Sequence, residues 1–360
     1  MFKVGADGLA ESSPKVILVL LNWNGWKDTL ECLESIFHLD YSNYQVIVCD
    51  NDSSDESLEH ICAWADGYRH AECSNPHLAS LSTPPVRKPI SYTRLTRIEA
   101  ESHKAESKLA GLTLIQTGGN LGFAAGNNIG LRFALNDGCD FVWLLNNDTV
   151  IRPDSLNHLI SKSLASKEEC MCGSTVFYYH APDTVQVLAG ASYNSKTGVS
   201  TPIEENKLIP LSDLARVVSA EEVENKLECL IGASMFVPRS FLIKVGLLAE
   251  EYFLYSEEND WAERGTRMGY KIAYAPLSVV YHKLGSSTKS TLSARSRSFT
   301  SDYHQTRSRL IFTQKFYPAQ LTWVRLTLIL GGVKRLLWGK PKHALMQWKM
   351  AIKPYIREKL

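Results

Sequence analysis

The sequence lacks the signatures of several common classes of protein. Its eight cysteines show no zinc-site spacing, and several lie in apolar runs, so we expect reduced and buried thiols. No internal repeat is visible, and the dinucleotide and P-loop fingerprints GxGxxG and GxxxxGK[ST] are absent. Residues 1–14 are polar and have no apolar stretch typical of a signal peptide, which favours a cytoplasmic protein.

The composition is that of a globular chain with an uneven distribution of charge. Of its 360 residues, 44% are hydrophobic and 21% are charged, which excludes disorder throughout. Residues 283–360 contain sixteen Lys and Arg against two acidic residues, a net charge of +14 that leaves −13 for the rest. A basic tail on an acidic body indicates an anionic partner: nucleic acid, a phospholipid surface or a phosphorylated substrate.

Strand and helix patterns alternate through the first half of the chain. Apolar runs at 16–21, 45–49, 112–116 and 141–145 are typical of buried parallel strands, and helical stretches follow the first three. This alternation predicts an α/β fold with a mostly parallel sheet. Sheets of this kind bind ligands at the carboxyl ends of their strands.

Two segments depart from this alternation. Residues 67–110 are rich in Ser, His, Pro and charge, and we interpret them as an insertion, partly mobile, within one domain. Residues 285–360 are predicted to be a basic, mostly helical extension. Their apolar stretch 320–338 is too charged for a membrane span, which leaves an interfacial helix or packing against the body. Arg325 and Lys334 fall on opposite faces of that helix, so its amphipathicity is poor.

Three polar clusters, at 22–24, 50–52 and 146–148, directly follow predicted strands. In a parallel sheet they converge at one edge. Asp there supplies hard oxygen ligands for Mg²⁺ or Mn²⁺, and the cation neutralises a diphosphate. Any one cluster is more simply explained by a turn or a helix cap, but three in register favour a nucleotide and metal site.

Three further features have both a structural and a chemical explanation. The Gly-rich turn at 118–128 allows backbone amides to approach a phosphate or a sugar, although alone it is a weak signal. The acidic run at 257–260 is either a charged helix N-terminus or a pair of carboxylates poised for general base catalysis. His282 ends an apolar run and is either a core histidine or a metal ligand.

Several ordered segments of the chain together resemble the family 2 glycosyltransferases. The resemblance covers residues 15–315 apart from the insertion, and the most similar branch is the rhamnosyltransferase-type enzymes of bacterial surface-polysaccharide assembly. The segments are KVILVLLNWNG, VIVCDNDSSDES, NLGFAAGNNIGL, FVWLLNNDTVIRPDSL, IGASMFVPRS, YFLYSEENDWAERGTRMGYKIAYAPLSVVYHKLGSS and YHQTRSRLIF.

The resemblance implies a fold and a metal site. Residues 1–284 would form a GT-A domain, a Rossmann-like and mostly parallel sheet flanked by helices, with residues 285–360 as a helical appendix. Asp148 would bind Mg²⁺ or Mn²⁺ in a DxD-type motif whose first Asp is here Asn146. His282 resembles the later metal-binding histidine of the family.

The resemblance also implies a catalytic base and a donor site. Glu258 would be the base, with Glu257 as the close second, where the family has a Glu-Asp pair. The residues expected to bind the nucleotide or the donor are Asn22, Asn24, Asp50, Asn120, Gly122, Asn127, Asn147, Gly232, Ala233 and Arg307.

The implied reaction is transfer of a sugar, with inversion, from a nucleotide-diphosphate donor to a hydroxyl group. The branch favours dTDP-rhamnose, with a UDP-sugar as the alternative. The expected acceptor is a glycan or lipid-linked glycan at the cytoplasmic membrane face, where an anionic leaflet would attract the basic tail. The departures at Asn146 and Glu258 leave a non-catalytic nucleotide-sugar- or glycan-binding relative as an alternative. Nucleic acid is not expected, because the tail has no recognised binding motif.

Overall fold

The computed structural model describes residues 13–105, 111–284 and 297–353; parts of the predicted insertion and extension lie outside these ranges. The strands are β1 (Val16–Asn22), β2 (Tyr44–Asp50), β3 (Tyr92–Thr96), β4 (Leu112–Gln116), β5 (Phe141–Leu145), β6 (Thr149–Ile151), β7 (Cys170–Tyr178), β8 (Ala181–Leu188), β9 (Gly190–Asn194), β10 (Val199–Pro202), β11 (Cys229–Leu230), β12 (Ser234–Pro238) and β13 (Lys271–His282). The helices are α1 (Trp26–Ile36), α2 (Ser57–Ala65), α3 (Arg97–Glu101), α4 (Gly122–Asn136), α5 (Ser155–Ala165), α6 (Leu211–Val217), α7 (Ala220–Glu224), α8 (Arg239–Lys244), α9 (Glu257–Arg267), α10 (Phe299–Phe316), α11 (Leu321–Leu337) and α12 (Pro341–Ile352).

One large sheet organises the fold. Its strand order is β3-β4-β2-β1-β5-β12-β7-β13-β6, with β8 beside β7. The first five strands in this order are parallel to one another. Strand β12 is antiparallel to β5, whereas β13 is parallel to β7. The carboxyl ends of β1, β2, β4 and β5 therefore meet at one edge, and the predicted mostly parallel α/β sheet is confirmed.

Helix α4 packs directly on β1, and two glycines allow this close approach. A Cβ built at Gly126 would lie 2.6 Å from a methyl carbon of Leu21, and one at Gly130 would lie 2.6 Å from a methyl carbon of Val19. Any side chain at either position would push the helix away from the sheet. The Gly-rich segment after β4 therefore serves helix–sheet packing as well as the turn.

The predicted insertion is packed against the first half of the domain. Its strand β3 pairs in parallel with β4 and extends the sheet. The buried carboxylate of Glu34 accepts hydrogen bonds from the Trp64 indole at 2.7 Å, the Val86 amide at 2.8 Å and the Lys88 ammonium at 3.2 Å. Sequence analysis missed this strand because its alternation of polar and apolar residues is short and surrounded by turn-forming residues.

The C-terminal extension consists of helices α10, α11 and α12, as predicted. The buried Asp302 carboxylate of α10 accepts hydrogen bonds from the Arg335 guanidinium of α11 at 2.5 and 2.6 Å. It also contacts the His343 ring of α12 at 3.0 Å. A bidentate, buried ion pair of this kind holds three helices together. Among the described residues, no helix combines the length and the hydropathy needed to cross a bilayer.

The cysteines behave as expected from their apolar surroundings. All eight are free thiols, and seven of them are buried. Burial raises the pKa of the Cys49 thiol to about 12, so it is protonated and unreactive at neutral pH.

Candidate active site

A cavity of about 740 Å³ opens at the edge where the parallel strands end. Its walls come from the ends of β1, β2 and β5, from the turn before α4 and from the start of α9. The end of β13 and the first turns of α10 complete it. The cavity therefore joins the sheet to the C-terminal extension.

A hydrogen-bond network beneath the cavity joins the ends of β1 and β2. The Asn22 amide donates to Asp50 Oδ1 at 2.7 Å and accepts from the Thr29 hydroxyl at 2.9 Å. Asp50 also accepts from the amide and the hydroxyl of Ser53, at 3.1 and 2.6 Å. Asn147, on the cavity wall, donates to Asn22 Oδ1 at 3.2 Å and to the Thr29 hydroxyl at 2.8 Å. The buried Asn22 and Asp50 thus hold Asn147 in place from below.

Asn51 fixes the Gly-rich turn to the same edge. Its Nδ2 donates to Asn120 Oδ1 at 3.1 Å and to the Gly122 carbonyl at 3.3 Å, while its Oδ1 accepts from the Leu121 amide at 3.1 Å. Gly122 has a φ of +79°, and a Cβ there would lie 2.4 Å from the Phe253 carbonyl oxygen. Only glycine fits this position, so the turn is held against Phe253 with Asn120 on the cavity wall.

Asp148 and His282 converge on one side of the cavity. Both are buried, and Asp148 Oδ1 lies 3.2 Å from His282 Nε2. The other ring nitrogen, Nδ1, lies 3.0 Å from Gln186 Oε1, which is an acceptor. Donation from Nδ1–H to this oxygen leaves a lone pair on Nε2, next to the carboxylate. The Asn146 amide nitrogen lies 3.4 Å from the same Nε2. One carboxylate oxygen and one imidazole nitrogen so placed are suited to a divalent cation.

Glu257 and Glu258 begin helix α9 and line the cavity. Glu257 is 5% exposed, and its Oε2 has no hydrogen-bond partner among the described residues. Burial raises the pKa of the Glu258 carboxyl to about 7. Burial and the adjacent Glu258 charge raise the pKa of Glu257 well above its usual range. A carboxyl whose pKa is about 7 can gain and lose a proton near neutral pH, which is what general base catalysis requires.

The chain enters α9 through two consecutive residues in the left-handed region. Tyr255 has a φ of 70° and Ser256 a φ of 68°. Each such non-glycine residue costs on the order of 1–3 kcal/mol, and the surrounding structure must hold it. The Tyr255 hydroxyl, 2.7 Å from the Ser301 hydroxyl of α10, contributes to this. The strained turn directs the first residues of α9 into the cavity.

Asp260, the third acidic residue of the run, has a structural role. It is fully buried, and its carboxylate accepts hydrogen bonds from Arg264 and Lys315, each at 2.6 Å. Of the acidic run, only Glu257 and Glu258 therefore line the cavity.

Helix α10 contributes polar and aromatic groups to the opposite wall. The His304 ring stacks on Phe253 with 4.7 Å between ring centroids. Burial and the nearby Arg307 charge lower the pKa of His304, so its ring is neutral at pH 7. Arg307 itself lies one turn beyond the lining, where its guanidinium donates to the Glu251 carbonyl at 2.8 Å. The lining residues of this segment are Ser298, Thr300, Ser301 and His304.

Most of the predicted site residues line the cavity. They are Asn120, Gly122, Asn147, Asp148, Gly232, Ala233, Glu257, Glu258 and His282. The other predicted residues do not line the cavity. Asn22 and Asp50 lie beneath it, and Arg307 lies on the outer part of α10. The side chains of Asn24 and Asn127 bind backbone groups of the adjoining turn and of helix α4.

Sequence analysis missed several lining residues. Trp23 and Asn51 stand inside polar clusters that it singled out, so their position after a strand was an available signal. Gln186, Phe253 and His304 carried no such signal. Gln186 of β8 reaches His282 of β13 across the intervening strand β7, and the stack between Phe253 and His304 forms only when α10 packs on the loop before α9.

The fold is that of the GT-A class. The chain aligns with the mannosyltransferase PcManGT from Pyrobaculum calidifontis, in complex with GDP-Man and Mn²⁺, at a TM-score of 0.50 and 13% identity over 95% of this chain and 88% of that one. It aligns with GalNAc-T7, in a structure with UDP, GalNAc and Mn²⁺, at a TM-score of 0.55 and 10% identity over 95% of this chain and 56% of that one. At such identities the likeness establishes the fold.

The sequence comparison finds a family model that matches part of the chain. Residues 16–76 and 91–202 are similar to the model of glycosyl transferase family 2. The unmatched gap falls within the predicted insertion. No curated protein matches the chain in sequence.

Proposed function

We propose that this protein is an inverting, metal-dependent glycosyltransferase that moves a sugar from a nucleotide-diphosphate donor to a hydroxyl of a glycan or lipid-linked glycan. The observation that carries the proposal is the shared cavity, which brings Asp148, His282 and the two glutamates to one space at the carboxyl edge of the sheet. The structurally similar PcManGT and GalNAc-T7 contain a nucleotide or nucleotide sugar and Mn²⁺, which supports this proposal.

Asp148 and His282 would hold Mg²⁺ or Mn²⁺. Their donor atoms fit, because a carboxylate oxygen and an imidazole lone pair lie side by side and Gln186 fixes the imidazole. No third His, Cys, Asp or Glu joins them in the described part of the chain, so diphosphate oxygens and water would complete the coordination. When bound, the cation would neutralise the charge of the leaving diphosphate.

Glu258 would act as the base. Its carboxylate takes the proton from the acceptor hydroxyl while that oxygen bonds to the anomeric carbon and the bond from this carbon to the diphosphate breaks. A single displacement of this kind inverts the anomeric centre and needs no covalent intermediate. Glu257 lies deeper, and burial together with the Glu258 charge raises its pKa, which disfavours a second negative charge beside the attacking oxygen.

The donor would lie along the opposite walls. Trp23 is 38% exposed at the cavity edge and offers a flat surface for a nucleobase. Asn120 and Asn147 offer amides for the ribose or the diphosphate. Phe123 and Phe253 form an apolar wall next to Gly232, and this wall favours a deoxysugar such as rhamnose over a fully hydroxylated hexose.

Calorimetry tests the proposal. We expect one of dTDP, UDP and GDP to bind the purified full chain in the presence of Mn²⁺ and to bind at least tenfold more weakly without it. A preference for dTDP would support a rhamnosyl donor, and a preference for UDP would replace it with a UDP-sugar. Absence of binding by all three would refute the proposal. Binding of a donor sugar that is neither transferred nor hydrolysed would favour the non-catalytic alternative.

A further inference from the structure

Helix α11 exposes an apolar face that no described part of the chain covers. At 100° per residue, six large apolar side chains of this helix occupy an arc of about 140°. They are 45–81% exposed. These residues, which we call the α11 face, are Trp323, Leu326, Leu330, Val333, Leu336 and Leu337.

The basic residues of α11 leave this face intact. Arg335 is buried against Asp302, and Arg325 donates to the Lys353 carbonyl at 2.7 Å. Lys334 alone among them is exposed, at the border of the face next to Trp323 on the helix wheel. The spacing of Arg325 and Lys334 predicts poor amphipathicity, and the buried Arg335 on the side opposite the face agrees with this. Arg325 is bonded inside the extension and so leaves the face itself unbroken.

The surroundings of the α11 face are basic. No acidic residue occurs in the sequence between Asp302 and Glu358. On the adjoining helix α12, Leu345 is 50% exposed. The exposed Lys342 precedes Leu345 in sequence and the exposed Lys349 follows it. Both lysines lie within about 60° of Leu345 on the helix wheel. The apolar face is thus accompanied by exposed lysines on α11 and α12, and neither helix contains an acidic residue.

We propose that the α11 face docks on the surface of an anionic phospholipid bilayer. Its apolar side chains would lie at the boundary between headgroups and acyl chains, and Lys334, Lys342 and Lys349 would lie near the phosphates. Interfacial helices combine these two features. A second copy of this chain fits less well, because a twofold contact through the face would bring the same lysines together with no acid to pair them.

The docking surface is joined to the cavity through one helix. Asp302, which holds α11 and α12, directly follows Ser301 of the cavity wall. Docking would therefore place the wall of α10 near the bilayer, where a lipid-linked acceptor is found. The role of docking in bringing the cavity to a lipid-linked acceptor rests on the proposed function. The lipid binding itself does not depend on that function.

Vesicle flotation of the full chain, without donor or metal, tests the docking. We expect binding to vesicles of phosphatidylcholine with 30% phosphatidylglycerol, little binding to phosphatidylcholine alone, and weaker binding as salt rises. Leu330→Glu should weaken binding at least tenfold. The matched control is Ile243→Glu on helix α8, because Ile243 is 63% exposed and Leu330 is 64% exposed. Lys342→Ala should weaken binding about fivefold, since a lysine near an anionic surface is worth about one kcal/mol.

Three results would overturn the docking. The first is no binding of the unaltered chain to the anionic vesicles, and the second is equal binding of the Leu330→Glu and Ile243→Glu proteins. The third is a dimer in light scattering that Leu330→Glu converts to a monomer while vesicle binding is absent, which would assign the face to a second copy. Nucleotide binding measured on the same preparations separates these failures from a failure of the proposed function.

Discussion

Replacing Glu258 by Gln tests two consequences of the raised pKa of its carboxyl. One is a loss of stability as pH rises, and the other is the ability to accept a proton during transfer. The carboxyl has a usual pKa of 4.5, and burial in the folded chain raises it to about 7. A carboxyl whose pKa is raised by folding does not lower the free energy of unfolding at pH values below its pKa in the unfolded chain. As pH rises from there to about 7, the folded state must either ionise a buried group or keep a proton that the unfolded chain has released. Stability therefore falls across this window.

The magnitude follows from the size of the shift. One pKa unit corresponds to about 1.4 kcal/mol, so the full penalty at pH 8 is about 3 kcal/mol. Gln cannot ionise, and the cost of burying its amide does not change with pH. Part of the Glu258 penalty is already present at pH 5, which lies above 4.5, so the stability advantage of Glu258→Gln over the unaltered chain should grow by about 2–3 kcal/mol between pH 5 and pH 8. For a chain of this length that is about 3 °C in melting temperature.

Three measurements on one variant check this reasoning. Thermal unfolding at pH 5 and pH 8 gives the change in stability. Calorimetry with the diphosphate and Mn²⁺ should show unchanged donor binding. Transfer should fall by about 10²–10⁴, the usual contribution of a general base. In the unaltered enzyme the transfer rate should rise with pH through about 7, because only ionised Glu258 accepts a proton.

Glu257→Gln is the matched control, since it neutralises the neighbouring carboxyl on the same turn of α9. It should also stabilise the fold at pH 8, yet it should retain far more transfer than Glu258→Gln. If the stabilities of the Glu258→Gln and unaltered chains changed in parallel with pH, the conclusion that Glu258 is a buried carboxyl ionising near pH 7 would be refuted. Loss of transfer in Glu257→Gln with retention in Glu258→Gln would make Glu257 the base.

Three further substitutions follow from contacts in the structure. Asp148→Ala should abolish metal-dependent diphosphate binding in calorimetry with an unchanged circular dichroism spectrum; retained binding would remove Asp148 from the metal site. Asp302→Asn should cost about 3–5 kcal/mol in denaturant unfolding, because it leaves the buried Arg335 without its carboxylate, and an unchanged midpoint would contradict this. Glu34→Ala should cost at least 1–3 kcal/mol by leaving the Trp64 and Val86 donors unpaired, and faster proteolysis at 77–90 would show it.

The strands that carry the site could be predicted because each is a short apolar run that ends in polar residues. Strand β1 is buried along almost its whole length, and its apolar run ends at the polar residue Asn22. The same local rule locates β2, β4 and β5. It fails for β8 to β10, which are partly exposed and lack a continuous apolar run; β8 forms a hairpin with β7, and β10 forms one with β9.

The orientation of side chains after a strand could not be predicted in the same way. Asn22 and Asp50 lie at the expected edge, but the bonds of Asp50 to Ser53 and of Asn22 to Thr29 turn them under the cavity. Which of two neighbouring polar residues faces the ligand depends on contacts of this kind. Spacing along the chain therefore identifies the edge, whereas the fold selects Asn51 and Asn147 for its surface.

The replacement of an Asp by Asn146 has a physical consequence for this site. An amide nitrogen, 3.4 Å from His282 Nε2, stands where the motif implied by the resemblance has a carboxylate. Of the described residues, Asp148 would then be the one carboxylate at the proposed cation site. Two ligands and one charge bind such a cation weakly in water. The diphosphate would supply the missing charge, and we therefore expect metal and nucleotide to bind together, each raising the affinity for the other by the same factor.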